Sequence, residues 1–289
     1  MNYNQLRAFH TVASQGSFTR AADALHVTQP TLSAQVKALE DTYGVLLFDR
    51  LGRGIATTEL GRSLLEITRR YFSLEAEAAQ LLAETRGLRS GHLRVGADAP
   101  QHAIPALAAF SRKYPGVRLS LSIGNSEEVL HGLFEHRSDV AVIADVEGEP
   151  RLVTLPLRRD RLIAFVPRGH PWAKRRSLRP AELAVQRLVL REPGSTTRHA
   201  FEAAMAEAGI AIGEILEIGS REGVREAVAA GLGVGIVSDF EFGNDPRLHP
   251  LDIDGLGRSM TEYVACLADR QELRLVKAFL DVVRKAAAS

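Results

Sequence analysis

The sequence predicts an α/β protein that carries an all-α, winged part at its N-terminus. Three observations support this fold class: three short amphipathic helices within residues 4–41, an apolar heptad pattern within residues 58–86, and a regular alternation of strands and helices after residue 91. Such alternation is typical of parallel sheets with crossover helices, so we expect two α/β subdomains in the second part.

Composition excludes several classes of protein. The chain has 289 residues, of which 45% are hydrophobic and 25% charged, ordinary values for a globular protein of two or three domains. Its single cysteine, Cys266, excludes an internal disulfide and fits a reducing compartment. The N-terminus lacks the pattern of a secretory signal and no apolar run is long enough for a membrane span, so we expect a cytoplasmic protein. The net charge of +1 names no partner, so nucleic-acid binding would depend on where the charges lie.

The first helices have the pattern of a helix-turn-helix. Ser17 and Thr28 are natural N-caps for the second and third of them, residues 18–25 and 29–41. The inward side of the third helix is apolar, and its opposite side is mostly polar, with Pro30, Ser33, Ala34 and Lys37 on it and Gln29 and Thr31 at its edges. A polar stripe of this kind suits base edges and phosphates, whereas a plain three-helix bundle with a solvated face is the alternative.

A short β-wing is predicted over residues 46–58. Its tip is rich in glycine and carries Arg50 and Arg53. An arginine flanked by glycine at a hairpin tip can enter a narrow minor groove or bind phosphates, although such a tip is equally well an ordinary solvated turn.

The next segment predicts a long helix with an apolar seam. Its apolar positions step alternately by four and three residues, and the positions are Leu60, Leu64, Ile67, Tyr71, Leu74, Ala78, Leu81 and the polar Thr85. This alternation favours packing against a second helix and therefore a two-fold dimer, while an amphipathic helix lying on its own domain is the alternative.

In the α/β part, the turns after the strands are the places to look for a ligand, because ligands of open α/β sheets bind at the carboxyl ends of strands. The segment from Ser195 to Arg198 opens a helix with small hydroxyl residues and free amides, which makes a cradle for an anion or simply a well-capped helix. The predicted effector-binding residues are Ala99, Pro100, Asn125, Ser126, Ser195, Thr196, Thr197, Arg198, Ser220 and Arg221.

Two sets of motifs resemble the LysR-type transcriptional regulators. The run SFTRAA, LHVTQPTLSAQVKALE, GVLLFDR and TTELG resembles their N-terminal signature, and IGNSEEVL, SDVAVIAD and REAVAAGLGVGIVSD resemble their effector-binding domain, which is similar to periplasmic solute-binding folds. The resemblance implies a third helix in the major groove and a wing at the minor groove. The DNA-binding residues that it implies are Gln29, Pro30, Thr31, Ser33, Lys37, Arg50 and Arg53. Many members carry a polar residue where Ala34 stands, so no hydrogen bond to a base comes from that position.

A finer resemblance concerns the effector. SIGNSEEVL, REPGSTTR and LEIGSREGVREAVAAGLGVGIVS look like the branch associated with 2-aminoethylphosphonate catabolism. That likeness implies a phosphonate, or one of its degradation products, as the small anionic effector.

These observations predict a winged helix-turn-helix over 1–58, a linker helix and hinge over 59–90, and an effector domain over 91–289. Within the last, subdomain I is expected at 91–161 and 267–289 and subdomain II at 162–266. The expected partners are a double-stranded DNA operator, a second copy or a tetramer of this chain, and RNA polymerase as a further candidate, with nucleoid association as the consequence. No cofactor, no metal and no enzymatic activity is expected, because the sequence has no phosphate loop, no nucleophile elbow and no zinc-protease motif. A solute-binding protein or an enzyme with the same sensor fold is the alternative.

Overall fold

A computed structural model describes residues 1–51, 54–82, 90–256 and 259–287 of the chain. Contacts divide the chain into two units, Met1–Thr85 and Arg86–Ser289. Each unit has its own apolar core and is described by itself.

The first unit begins with three helices, α1 (Tyr3–Gln15), α2 (Phe18–Leu25) and α3 (Gln29–Tyr43). The predicted caps form, because the Ser17 side chain accepts a hydrogen bond from the Arg20 amide and the Thr28 side chain accepts one from Thr31. Their shared core contains the buried side chains Phe9, Val12, Ala21, Leu32, Val36, Leu39, Leu47 and Phe48. The helix-turn-helix is therefore confirmed.

A two-stranded wing and a long helix complete this unit. The wing consists of β1 (Phe48–Leu51) and β2 (Gly54–Thr57), and the helix is α4 (Glu59–Leu82). The Glu40 carboxylate anchors the start of the wing by accepting a hydrogen bond of 2.7 Å from the Leu47 amide. At the start of α4 only glycine fits, because a Cβ at Gly61 would collide with the Leu47 carbonyl oxygen.

The second unit is a 10-stranded sheet with helices on its faces. The main strand order is β4-β3-β5-β12-β6-β10-β8-β9, and β11 joins β6 to β7 at the side. The strands are β3 (Gly91–Ala97), β4 (Val117–Ile123), β5 (Val140–Ala144), β6 (Leu152–Pro167), β7 (Ser177–Leu178), β8 (Leu188–Arg191), β9 (Ile215–Ile218), β10 (Val234–Ser238), β11 (Leu248–Ile253) and β12 (Ser259–Leu267). The helices are α5 (Pro100–Lys113), α6 (Ser126–Phe134), α7 (Pro180–Leu183), α8 (Thr196–Glu207), α9 (Arg221–Ala229), α10 (Asp239–Phe242) and α11 (Arg274–Ala287), with short 3-10 turns at Pro171–Lys174 and Ala268–Arg270.

Strand β6 joins the two predicted subdomains. Its first part pairs with β12 as far as Arg161, and from Leu162 onward it pairs with β10. Of this strand, sequence periodicity predicts only residues 162–166, because the earlier part has no regular apolar pattern and carries Arg158, Arg159 and Asp160 in succession. The sheet therefore passes from one subdomain into the other without a break.

One predicted boundary needs correction. The sequence assigns residues up to 266 to subdomain II, but in β12 the segment from Glu262 to Ala265 pairs with β5 of subdomain I. Val264 and Cys266 lie in the same core as Phe110 and Phe279, whose rings are 5.5 Å apart and pack α11 onto α5. The return to subdomain I therefore occurs within β12 at Glu262, and the predicted assignment of the C-terminal residues to subdomain I agrees with the packing of α11.

Candidate nucleic-acid surface and ligand cleft

The exposed face of α3 carries the residues that the sequence predicts for DNA. Gln29, Pro30, Thr31 and Lys37 are exposed and Ser33 is half-buried. The Gln29 amide nitrogen donates a hydrogen bond of 3.4 Å to the Ser33 hydroxyl, so the two side chains lie next to each other on this face. The structure brings these five residues together on one helix face, beside the exposed methyl group of Ala34.

The two predicted wing arginines cannot be placed in the same way. Arg53 lies outside the described residues, and Arg50 belongs to β1 but its side chain lies outside them as well. Their contribution stays a prediction from the sequence.

Helix α4 has two different apolar faces. One face packs on α1, where the Phe72 ring lies 4.7 Å from the His10 ring and 6.0 Å from the Tyr3 ring. The other face carries Leu60, Ile67, Tyr71 and Leu74, all of them exposed. Packing on the core of its own unit uses Leu65 and the seam position Leu64, whereas the other four stay exposed. The last predicted seam positions, the Leu81 side chain and Thr85, lie outside the described residues.

In the second unit, a cavity lies between the two subdomains at the carboxyl ends of the strands. Subdomain I contributes the N-terminal turn of α6 and the end of β5, and subdomain II contributes the loop before α8. The lining residues are Ser126, Glu127, Leu130, Ile143, Ala144, Asp145, Val146, Gly194, Ser195, Thr196 and His199. We call this cavity the cleft.

The cleft is narrowed by one contact between the subdomains. The Glu127 amide donates a hydrogen bond of 3.3 Å to the Gly194 carbonyl. Gly194 has a φ of +90° and a Cβ there would lie 2.9 Å from the Glu127 carboxylate, so glycine is required for the two loops to approach this closely.

Ser195 differs from two other predicted residues at cap positions, Asn125 and Ser220. It occupies the N-cap position of α8 and is only 4% exposed, yet its side chain makes no capping hydrogen bond and bonds to no described residue. Asn125 and Ser220 do cap their helices, since they accept hydrogen bonds from the amides of Glu128 and Gly223. The Ser195 side chain lines the cleft and is therefore available to a ligand there.

Arg198 does not point into the cleft, contrary to the expectation of an anion cradle. Its guanidinium donates to Glu202 and Glu217, each at 2.7 Å, and to the Arg191 carbonyl at 2.9 Å. Two carboxylates already neutralise it, and it does not line the cleft. No lysine or arginine is among the described residues that do.

The remaining predicted residues lie around the cleft. Ala99 is fully buried at the N-cap position of α5, and Pro100 begins that helix. Thr197 and Arg221 line a separate small cavity within subdomain II, together with Arg191 and Arg225. The Arg221 guanidinium donates to the Glu241 carboxylate at 2.6 Å and to the main-chain carbonyl of Asp98, so it connects the two subdomains directly.

A buried charge cluster beside the cleft was not predicted from the sequence. It consists of Asp98, His102, Asp160, Glu241 and Glu262, each at most 5% exposed. The His102 Nε2 atom lies 3.5 Å from carboxylate oxygens of Asp160 and Glu241 and 4.0 Å from one of Glu262. Among the described residues, no group of His, Cys, Asp and Glu side chains has the geometry to hold a metal ion. The signal in the sequence is an acid close before an apolar run, since Asp160 precedes residues 162–166 and Glu262 precedes residues 263–267.

The pKa values of the two glutamates in the cluster are shifted in opposite directions. Burial raises the pKa of Glu262 to about 10, and the neighbouring charges of Asp98 and Glu241 add to this effect. Burial alone would also raise the pKa of Glu241, but its interactions with His102 and Arg221 outweigh burial and lower it. Burial also raises the pKa of Asp98, although Arg221 and the Ser126 hydroxyl act in the opposite direction. Glu262 is therefore a neutral carboxylic acid near pH 7.

Comparison with known proteins gives the family. Residues 86–288 match the LysR substrate binding domain, and residues 3–62 match the bacterial regulatory helix-turn-helix protein of the lysR family. The chain belongs to the LysR family. It is therefore a DNA-binding transcriptional regulator with an effector-binding domain, and its α/β sensor with a winged N-terminal unit has the fold class that the sequence predicts.

Two relatives and one solved structure illustrate the similarity. The chain is 30% identical to the HTH-type transcriptional activator CmpR of Synechocystis sp., covering 96% of this chain and 93% of the relative. It is 33% identical to the RuBisCO operon transcriptional regulator of Allochromatium vinosum, covering 88% and 86%. The regulatory domain of CcmR from Synechocystis PCC6803, solved in complex with 2-PG, is 28% identical with a TM-score of 0.63 and covers 68% of this chain and 97% of that domain.

These relatives are regulators rather than enzymes, and neither name refers to phosphonates. The phosphonate branch suggested by the motifs therefore gains no support from them.

Among the described residues, no helix combines the length and apolar character that crossing a membrane requires.

The proton on Glu262 has a measurable consequence for stability. Its pKa in the folded chain, about 10, is above the ordinary value of 4.5, so the folded state binds more protons than the unfolded state between these limits and stability falls as pH rises. At pH 7 this amounts to about 3 kcal/mol. Glu262→Gln keeps the shape of the side chain without the titrating proton. We therefore expect the variant to unfold at a higher urea concentration than the wild type at pH 7, and at the same urea concentration as the wild type near pH 4.

Glu241→Gln provides the matched control for this measurement. It removes the partner of the buried Arg221 guanidinium, so we expect it to destabilise the protein at pH 7. A destabilising effect of Glu262→Gln at pH 7 would contradict the neutral state of that carboxyl group.

Proposed function

We propose that the chain is a dimeric regulator that binds its operator through α3 and the wing and responds to a small anion bound in the cleft. The observation that carries this proposal is the polar, exposed face of α3 on an otherwise apolar three-helix core. Such a protein acts on DNA and therefore works in the cytoplasm, at the nucleoid. RNA polymerase is the partner that a regulator of this kind must finally influence.

The division of contacts on α3 follows from its side chains. Gln29, Thr31 and Ser33 both donate and accept hydrogen bonds, so they suit base edges in the major groove. Lys37 is exposed and lies one turn beyond Ser33, where a point charge suits a phosphate.

This division predicts two different effects on operator binding. Gln29→Ala combined with Ser33→Ala should lower the preference for operator over random DNA by about 1–3 kcal/mol per lost base contact. Lys37→Ala should weaken binding to both DNAs alike and reduce the slope of log K against log salt by about 0.9. Fluorescence anisotropy over a range of salt concentrations measures both.

Lys113 belongs to the effector unit, so Lys113→Ala is the control for the effect of losing one positive charge on DNA binding. Unchanged discrimination in the double variant would exclude α3 as the reading helix.

The exposed face of α4 is the proposed dimer interface. Ile67 and Leu74 are 61% and 65% exposed, and they repeat at the spacing of a coiled-coil seam. The packing of α4 on α1 does not use these side chains, so they are available to a second copy of the chain.

Charges on this face should separate the two copies. Ile67→Glu with Leu74→Glu places two buried like charges on each side of the seam, so we expect a monomer in sedimentation with unchanged helix content. Glu66→Lys, an exposed change off the seam, should leave the assembly as in the wild type. Persistence of the wild-type assembly in the double variant would locate the interface elsewhere.

The cleft is the proposed effector site. Ser195 and Thr196 lie at the N-terminus of α8, where free amides and the helix dipole favour an anion, and the unused Ser195 hydroxyl adds a donor. The CcmR regulatory domain was solved with 2-PG, and the motifs of this chain suggest a phosphonate, so both kinds of anion are candidates.

Calorimetry with the full chain tests the effector site, with 2-PG, 2-aminoethylphosphonate and phosphate as probes. Ser195→Ala should weaken the binding of the anion about tenfold, the effect of one lost hydrogen bond to a charged group. Arg198→Ala is the matched control, because its guanidinium is occupied by Glu202 and Glu217 and should not contribute. Equal binding by wild type and Ser195→Ala would exclude the N-terminus of α8 as the anion site.

A further inference from the structure

The buried charge cluster combines groups from both subdomains and from the strands that join them. Asp98 lies in the turn before α5 and His102 in α5 of subdomain I, and Glu241 comes from α10 in subdomain II. Asp160 and Glu262 lie on the joining strands β6 and β12. A movement of one subdomain relative to the other must therefore change the surroundings of this cluster.

Glu262 has the least compensated environment in the cluster. The groups that face it are Asp98 from the turn before α5, His102 from α5, Arg158 and Asp160 from β6, Arg221 from α9 and Glu241 from α10. The two arginines are engaged elsewhere, since Arg158 bonds to Asp160 and Arg221 bonds to Glu241. Glu262 Oε1 and Asp98 Oδ1 are buried and have no hydrogen-bond partner among the described residues.

Polar contacts cross the subdomain boundary at this cluster, and the Phe240 ring of subdomain II also lies 4.9 Å from the His102 ring. Arg221 of subdomain II donates to the Asp98 carbonyl of subdomain I, and His102 of subdomain I lies 3.5 Å from Glu241 of subdomain II. A movement of the subdomains away from each other would break both contacts and expose the carboxyl groups to water.

We propose that closing the cleft loads one proton onto the Glu262 carboxyl group and that opening the cleft releases it to water. This inference rests on the proposed effector cleft and concerns its regulation. When the subdomains are apart, hydration favours the carboxylate; when they are together, burial beside Asp98 and Glu241 favours the neutral acid. The proton comes from the solvent and returns to it, and no other group is consumed.

The cluster is connected to the ligand side of the cleft through Asp98. The Asp98 Oδ2 atom accepts a hydrogen bond of 2.8 Å from the Ser126 hydroxyl and one of 3.2 Å from the Ala144 amide. Ser126 and Ala144 both line the cleft. A ligand that holds the cleft closed therefore also holds the proton on Glu262.

Linkage sets the size of the effect. Between the pKa of Glu262 in the open form and that in the closed form, the closing equilibrium falls by up to tenfold for each unit that pH rises. A carboxyl group in water titrates near pH 4.3, so this range includes neutral pH.

Fluorescence energy transfer within the full chain tests the proposal without any effector. Ser111→Cys on α5 and Ala206→Cys on α8 place one label on each subdomain at exposed positions, while the native Cys266 is fully buried and stays unlabelled. Labelled chains are mixed with an excess of unlabelled chains. From pH 6 to pH 9 we expect the closed fraction to fall in the chain with Glu262 and to stay constant in Glu262→Gln and in Glu262→Met.

A pH profile of the closed fraction that is the same in all three proteins would overturn the proposal.

A second experiment uses calorimetry with 2-PG at pH 8 in two buffers that differ in ionisation enthalpy. Uptake of about one proton per bound ligand in the wild type and none in Glu262→Gln would support the proposal, whereas equal uptake in both would refute it. If 2-PG does not bind, that effector is excluded, and the fluorescence result decides the role of Glu262 on its own.

Discussion

The pairing of β6 with two different sets of strands is the constraint on which the effector unit depends. Its first part pairs with β12 in subdomain I, and its last part pairs with β10 and β11 in subdomain II. Backbone hydrogen bonds on both sides fix the path of this strand, so the subdomains can move only by bending β6 and β12 where they cross the boundary. Asp160 lies at that crossing, and Glu262 lies opposite Arg158 near it. The position of the charge cluster follows from this topology.

Burying such a cluster opposes folding, and the apolar cores of the two subdomains must offset it. An ionised carboxyl group without a partner is so unfavourable in the interior that it takes up a proton instead. Glu241 avoids this because Arg221 lies at 2.6 Å, whereas Glu262 has no such partner. A neutral glutamine would fit the same space without the proton, so the acid contributes no stability that glutamine lacks. Groups of this kind are concentrated at functional sites, which is why we assign the cluster a role in regulation.

Sequence reasoning succeeded where the determinants are local. The caps at Ser17 and Thr28 lie next to the helices that they begin, so α2 and the start of α3 were predicted to the residue. Only the part of β12 around Cys266 was predicted as strand-like, and its partners could not be predicted because they lie about a hundred residues earlier in the chain. Arg198 was misinterpreted for the same reason: it lies on α8, and one of its partners, Glu217, is 19 residues away on β9. The charge cluster extends from Asp98 to Glu262, a separation over which no pattern in the sequence indicates contact.

The cleft shows why a cap residue can be read in two ways from sequence alone. Ser195 and Ser220 stand in the same position before their helices, and both are preceded by a glycine. Ser220 binds the Gly223 amide and is fully used by its own helix, whereas Ser195 leaves the amides of α8 unoccupied. The difference follows from the contact of Gly194 with Glu127, which holds the loop before α8 against subdomain I. An anion that binds these amides therefore binds at the boundary between the subdomains, where it can favour the closed arrangement and with it the protonated state of Glu262.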